Sequence, residues 1–317
     1  MSRNFNLGSR DMSKAGRNAL NAAARNGAIS FSSAATNGAR WNRFASYAKE
    51  ELGVRYMERI APEHVVAYGE SLQAKVETGE MSAATAQNYV AAVNSVLDIA
   101  TSGKWQSVSP TQDCGIATKS CIATISKAIT PVQHESVIAH AGERLGVLLD
   151  LQRALGLRYE ESAKLNAKTA YAEAKTTGQV QILAGTKGGR NRIVPVNEAA
   201  LVALERAADI QGQGRSMIPS SMSYARFQAE SYRELGVAGG RGFHGNRHWY
   251  AQDRYFQLAG APAPVVAGWS RDERIAALAA VLEISETKAK AIDHKARMQI
   301  AVELGHGRVE ITNAYLG

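Results

Sequence analysis

Near its end the chain reads "LGHGRVEITNAYLG", which puts Tyr315 nine positions after His306. A tyrosine there can simply be a core residue that pins a short amphipathic end-helix. It can also be a nucleophile, but a phenol with a free pKa of about 10 attacks poorly until cations stabilise its phenolate. The rest of the chain would have to supply them. Three stretches carry candidates: "LGLRYEES" with Arg158 and Glu161, "GTKGGRNRIVPV" with Lys187, and "FHGNRHWY" with His244 and Arg247. Each has a plain alternative. Arg158 at a helix end can pair with Glu161, and a lysine in a glycine turn is ordinarily solvated, with Arg190 and Arg192 able to take its place. His244 and Arg247 can be a structural pair, and His248 a core or helix-end histidine. Tyr250 and Tyr255 are rival nucleophiles by position, yet their spacing on a helix bearing Trp249 reads as core.

The elements around these residues fall into blocks. Residues 1–30 carry Arg3, Arg10, Lys14, Arg17 and Arg25 against the single acid Asp11 and read as a basic arm, solvated or laid along a polyanion. Residues 31–106 have helical periodicity, with Trp41, Phe44, Ala48 and Leu52 on one face and a stop at Gly53. Pro62 starts a second helix with Val65, Val66 and Leu72, and Ser82 caps a third with Tyr89, Val93, Val96, Leu97 and Ala100. Residues 107–129 lose the periodicity and read as a linker.

A second domain, 130–317, opens on a capping box: Thr130, Pro131 at the first helical position, and Gln133. Its helical pattern runs to Gly156 with an irregularity expected at Gly146. "QVQILAG" and "RIVPV" flank "TKGGRN" as a hairpin, and helices follow. The fold class is therefore mainly α with a small β component, an all-helical domain followed by an α+β domain.

Composition narrows the partners. The 45% hydrophobic content contains no apolar run near the about 18 residues of a membrane span. The start lacks an apolar signal core, and two cysteines make no disulfide framework, so a cytoplasmic location is expected. No zinc spacing and no carboxylate cluster is visible, so no metal and no cofactor are expected. The net charge of +8 suits a polyanion, whose counterions each phosphate contact releases.

In this order and spacing, Arg158, Lys187 in a β-turn, His244-x-x-Arg247, and Leu304-Gly305-His306 followed by Tyr315 resemble the tyrosine recombinases, the integrases of phages and mobile islands. The resemblance covers about residues 33–317, and "SAATAQNYVAAVNSVL" is similar to the last helix of that family's core-binding domain. Any single piece recurs by chance; five in register do not. The resemblance implies site-specific DNA recombination through a 3′-phosphotyrosine, on double-stranded attachment sites, by a homotetramer, with an accessory directionality or bending protein admissible. It implies an all-helical core-binding domain and a tyrosine-recombinase catalytic domain that clamp each site, the protein being nucleoid-associated when bound.

The residue types suit that chemistry. Arginine stays charged and its planar fork grips two phosphate oxygens, which fits Arg158 and Arg247 around a phosphorus that gathers negative charge. His244 and His306 add donors, and either is open as acceptor of the tyrosine proton. Lys187 is the candidate acid for the 5′-oxygen. Glu161 is expected to hold an arginine or histidine in place. Arg3, Arg10, Lys14, Arg17, Arg40 and Arg43 are expected on DNA. Rival readings are a type IB topoisomerase-like relaxation and a non-catalytic DNA-binding protein.

Two departures from the family stand out. About 261–292 reads as a helical insertion, similar to one in members from proteobacterial islands. Only Leu316 and Gly317 follow Tyr315, where many relatives continue. The insertion's stripe of Ile275, Leu278, Val281 and Leu282 is thus expected either to pack on its own domain or to dock on an adjacent subunit.

Overall fold

The computed structural model describes residues 3–317, so residues 1 and 2 of the expected arm lie outside the described residues. It divides into two compact units, one ending at Ser120 and the other spanning Cys121–Gly317. No helix among the described residues is long and apolar enough to cross a membrane.

The first unit is built from α1 (Met12–Arg25), α2 (Phe31–Glu50), α3 (Pro62–Glu77) and α4 (Ala83–Ala100). Its core holds Trp41, Phe44, Val65, Tyr68, Leu72, Val90, Val93, Val96 and Leu97. Ser82 caps α4, accepting from the Thr85 amide at 3.2 Å. The segment 12–25, part of the expected arm, is not a solvated tail. Asp11 caps it, accepting from the Lys14 amide at 2.7 Å, and Met12, Ala15, Ala19 and Leu20 are buried. Composition misleads here because Lys14, Arg17 and Arg25 are spaced so as to leave an apolar stripe between them. Gly16 lets Trp41 lie directly on α1: a β-carbon would collide with the indole, whose Nε1 donates to the Met12 carbonyl at 3.0 Å.

Residues 107–129 are divided between the units. Val108, Cys114 and Ile116 are buried in the first core. Gln87 donates to the Ala117 carbonyl at 2.7 Å, while residues from Cys121 onward belong to the second unit. Single apolar residues that each fill one gap have no period to detect.

The second unit follows the order α5 (Pro131–His140), α6 (Glu143–Leu155), α7 (Tyr159–Lys164), α8 (Ala167–Thr177), β1 (Gln179–Ile182), β2 (Arg192–Pro195), α9 (Glu198–Gln211), α10 (Tyr224–Val237) and α11 (His244–Ala259). Then come α12 (Pro264–Ala267), α13 (Arg274–Leu282), α14 (Glu286–Glu303) and α15 (Asn313–Leu316). Thr130 and Gln133 form the reciprocal cap, at 3.2 and 2.9 Å. The helical irregularity falls at Ala141–Gly142 rather than at Gly146. Gly142 is the N-cap of α6, and its amide is taken by Glu234 at 2.7 Å, whereas Gly146 is buried inside the helix. Helix α6 is buried over most of its length, with Leu145, Val147, Leu148, Leu149, Leu151 and Leu155 in the core. The strands pair antiparallel, with Val180 opposite Val194 and Ile182 opposite Arg192.

The stretch 261–292 contains α12, α13 and the start of α14. Ser270 and Glu273 contact each other ahead of α13, at 2.6 and 3.3 Å, and Ser285 caps α14. The stripe packs on its own unit. Leu278 is 1% exposed beside Ala279 and Ala289, while Val281 is left outside at 54%.

Candidate active site

Backbone geometry delivers most of the candidates to one place. Helix α6 ends on Gly156, whose φ of +62° turns the chain back, and a β-carbon there would strike Tyr250 and Leu304. Two residues on, Arg158 caps α7. Helix α11 carries His244, Arg247 and His248 at i, i+3 and i+4, hence on one face. Helix α14 runs out at Leu304, and Gly305, at φ +67°, brings His306 round. Tyr315 sits on the single turn of α15.

Glu161 is the hub. It is fully buried and takes two bonds from Arg192, at 2.7 Å each. It also takes the Arg158 amide and the Arg158 Nη1, both at 2.7 Å. Burial works to raise its pKa, but the Arg192 bonds and charge, the Arg158 amide and the Arg247 charge outweigh it and hold the carboxyl at about 2. Three arginines around one carboxylate leave excess positive charge, the setting an incoming anion needs.

Arg247 is wholly buried. Its Nε donates to the Tyr315 hydroxyl at 3.3 Å, and its Nη groups donate to the carbonyls of Gly156 and Leu304. Burial lowers its pKa to about 10, still charged at neutral pH. A guanidinium has five N–H groups, so these bonds do not exhaust it. Tyr315 is 6% exposed, with its ring 4.6 Å from His248 and 5.5 Å from His306 between centroids.

The histidines are kept neutral. Burial first, then the charges of Arg247, Arg158 and Arg192, bring His306 down to about 3. Burial, His244, Lys127 and Arg247 bring His248 to about 4. Nε2 of His306 and Nδ1 of His248 are buried without a hydrogen-bond partner. His244 stands at the exposed start of α11, its pKa lowered by partial desolvation and by Arg247 and Arg158.

The structure thus brings Arg158, Glu161, His244, Arg247, His306 and Tyr315 together. It leaves Lys187 exposed on the turn between β1 and β2, out of hydrogen-bond contact but near enough for its charge to act on His244. The rivals separate. Arg192 is buried against Glu161 and the Glu303 carbonyl, so it is no mobile acid; Arg190 lies over Gly307. Tyr250 donates to Glu303 and Tyr255 to Asp293, both at 2.8 Å, and burial pushes both phenols well up.

Sequence reasoning missed the clamp by Arg192 and the stacking of His248. Arg192 left one signal. It shares the inward face of β2 with Val194, and a charge at such a position must be paired.

Among the described residues no group of histidine, cysteine, aspartate and glutamate is placed to hold a metal. For the basic residues of the first unit, Arg10, Lys14, Arg17 and Arg43 are exposed and Arg40 is half-buried. Arg3 stands over the Tyr56 ring at 5.1 Å and Arg43 over Tyr89 at 5.3 Å.

A helical unit followed by an α+β unit is the architecture of solved tyrosine recombinases, and this chain shares that fold. Residues 115–253 match the family model described as integrase. A solved λ integrase (residues 75–356), a dimer bound to a COC′ core site, is 14% identical, with a TM-score of 0.51 over 92% of this chain and 94% of that one. The Tn1549 transposon integrase (residues 82–397), in complex with transposon right end DNA, is 11% identical, with a TM-score of 0.52 over 95% of each chain. At such identity the likeness speaks for the fold. Curated proteins provide no sequence match.

Proposed function

We propose that the chain is a site-specific DNA recombinase, an integrase of a mobile element, that cuts and rejoins DNA through a 3′-phosphotyrosine. The observation that carries this is the Tyr315 hydroxyl accepting from the buried Arg247 guanidinium, with the rings of His248 and His306 packed near the tyrosine.

In the reaction the Tyr315 oxygen bonds to phosphorus and the bond to the 5′-oxygen breaks. Arg158 and Arg247 neutralise the non-bridging oxygens as charge builds on them. His306, His244 or His248, each kept neutral, accepts the phenolic proton. Lys187 donates to the 5′-oxygen, reaching in on its turn. The tyrosine ester retains the bond energy, so a different 5′-hydroxyl can reverse the step on a new partner. Arg3, Arg10, Lys14, Arg17, Arg40 and Arg43 of the first unit contact phosphates, and paired strand exchange calls for a homotetramer on two duplexes in the cytoplasm.

The test is a plasmid assay with and without attachment sites, alongside the Tyr315→Phe variant. Recombination that requires the sites, with a covalent adduct lost in Tyr315→Phe while DNA binding persists, is the expected result. Relaxation of any plasmid points to the topoisomerase reading, and shifted mobility without strand chemistry to a non-catalytic binder. An adduct that survives in Tyr315→Phe would place the nucleophile elsewhere.

A further inference from the structure

The segment that opens the second unit, residues 121–129, has no regular secondary structure, yet it is pinned to both elements of the site. The Ala123 amide donates to the Asn313 carbonyl at 2.9 Å, two residues before Tyr315. Ser126 Oγ donates to Gln252 Oε1 at 3.0 Å, and the Ile129 amide reaches the Gly245 carbonyl, beside His244, at 3.4 Å. Glycine makes the close approach feasible: a β-carbon on Gly245 would stand 2.9 Å from Ile129 and 3.4 Å from the Lys127 carbonyl.

Gln252 is 8% exposed, and its Nε2 donates to the backbone carbonyl of Tyr315 at 3.0 Å. A carbonyl only accepts, so the amide has one consistent orientation, with NH2 toward Tyr315 and oxygen toward Ser126. Helix α15 is a single turn and too short to hold itself, so the nucleophile's place depends on such outside contacts. Arg297 supplies flanking ones, to Asn313 Oδ1 and the Gly317 carbonyl, each at 2.9 Å. Gln252 grips the nucleophilic residue itself.

We propose that Gln252 is a positioning residue for Tyr315, held in register by Ser126 of the 121–129 strap, so that the path of the chain into the second unit sets where the phenol stands. This rests on the recombinase reading above. Misplacing a reacting group by about 1 Å costs on the order of a hundredfold in rate. Losing this anchor therefore slows attack without altering the phosphate-binding arginines.

The experiment uses the full chain and a nicked duplex carrying its core site, selected by the chain from random-sequence DNA. Gln252→Ala and Gln252→Glu, which both lose the donor, are expected to slow 3′-phosphotyrosine formation roughly tenfold to a hundredfold with DNA binding unchanged. Ser126→Ala, which removes the hydroxyl that donates to Gln252 and accepts from the Ala128 amide, shows a smaller loss in the same direction. The discriminating readout uses Tyr315→Phe with hydrogen peroxide as a diffusible nucleophile. Peroxide oxygen bonds to phosphorus, the bond to the 5′-oxygen breaks, and that oxygen takes up a proton. Adding Gln252→Ala to this background is expected to leave peroxide-driven cleavage unchanged.

Equal adduct rates in Gln252→Ala and the unsubstituted chain would overturn the proposal. So would an equal fall in the tyrosine and peroxide reactions, which would make Gln252 a support of the whole pocket. No adduct from the unsubstituted chain would overturn the recombinase reading itself, and with it the proposal.

Discussion

At the scale of single residues, the site separates groups that must be charged from groups that must not be. Three arginines surround Glu161 while His306 and His248 are held neutral, which leaves each imidazole with an unprotonated ring nitrogen. This has a sign in stability. His306 sits at about 3 in the folded chain against roughly 6.5 unfolded. Between those values the unfolded chain binds the extra proton, so stability rises with pH. The contribution is complete above about pH 6.5 and is lost as pH falls toward about 3, and His248 acts in the same sense. The thermal midpoint should therefore drop between pH 7 and about pH 4.5, and drop less in His306→Asn; parallel curves for the two proteins would contradict this. Lys187 is tested by its leaving group. Lys187→Ala should slow cleavage of normal DNA far more than cleavage of a 5′-bridging phosphorothiolate, whose sulfur leaves without a proton. Equal slowing on both would remove Lys187 from proton transfer and leave Arg190, the neighbour not locked in the core.

At the scale of elements, what matters is which face each helix turns inward. The α13 stripe reads as a surface that a neighbouring subunit could cover, yet Leu278 is buried against Ala279 and Ala289 within its own unit. Leu278→Ala should destabilise the second unit by roughly 2–5 kcal/mol, the usual cost of truncating a core leucine. Val281→Ala, at an exposed position of the same helix, should change stability by no more than about 0.5 kcal/mol. Denaturant unfolding measures both, and a neutral Leu278→Ala would return the stripe to the role of a docking face.

At the scale of the whole molecule, the proposed DNA partner would meet the charge of +8 first. Each phosphate contact releases counterions, so binding should weaken linearly in log–log salt titrations. Replacing Arg10 and Lys14 together by alanine should lower that slope by about 2 if each holds a phosphate. An unchanged slope would take the start of the first unit out of the interface. The helical α1 gives this prediction its form. Arg10 stands just before the N-cap of this folded helix and Lys14 in its first turn, so their removal tests contact rather than the ordering of a loose tail.

Much of this was legible in the chain because it is written in local patterns. The helical stripes of α2 to α4, the Thr130 cap, the hairpin around Lys187 and the spacing from His306 to Tyr315 depend on neighbours a few residues apart, and local sterics and hydrogen bonding settle them. What tertiary structure alone decided are the pairings across long separations. Arg192 turns out to clamp Glu161, 31 residues away, and is thereby removed from the list of acids. Gln252 joins Ser126 to Tyr315 across separations of 126 and 63 residues. Tyr250 and Tyr255 are held by buried carboxylates on α14. The segment 12–25 buries its apolar stripe, with Gly16 giving Trp41 room to lie on it, and the insertion's stripe became core because α14 was there to receive it. A side chain's partner in each of these cases is set by where the backbone returns, and no periodicity along the chain encodes that.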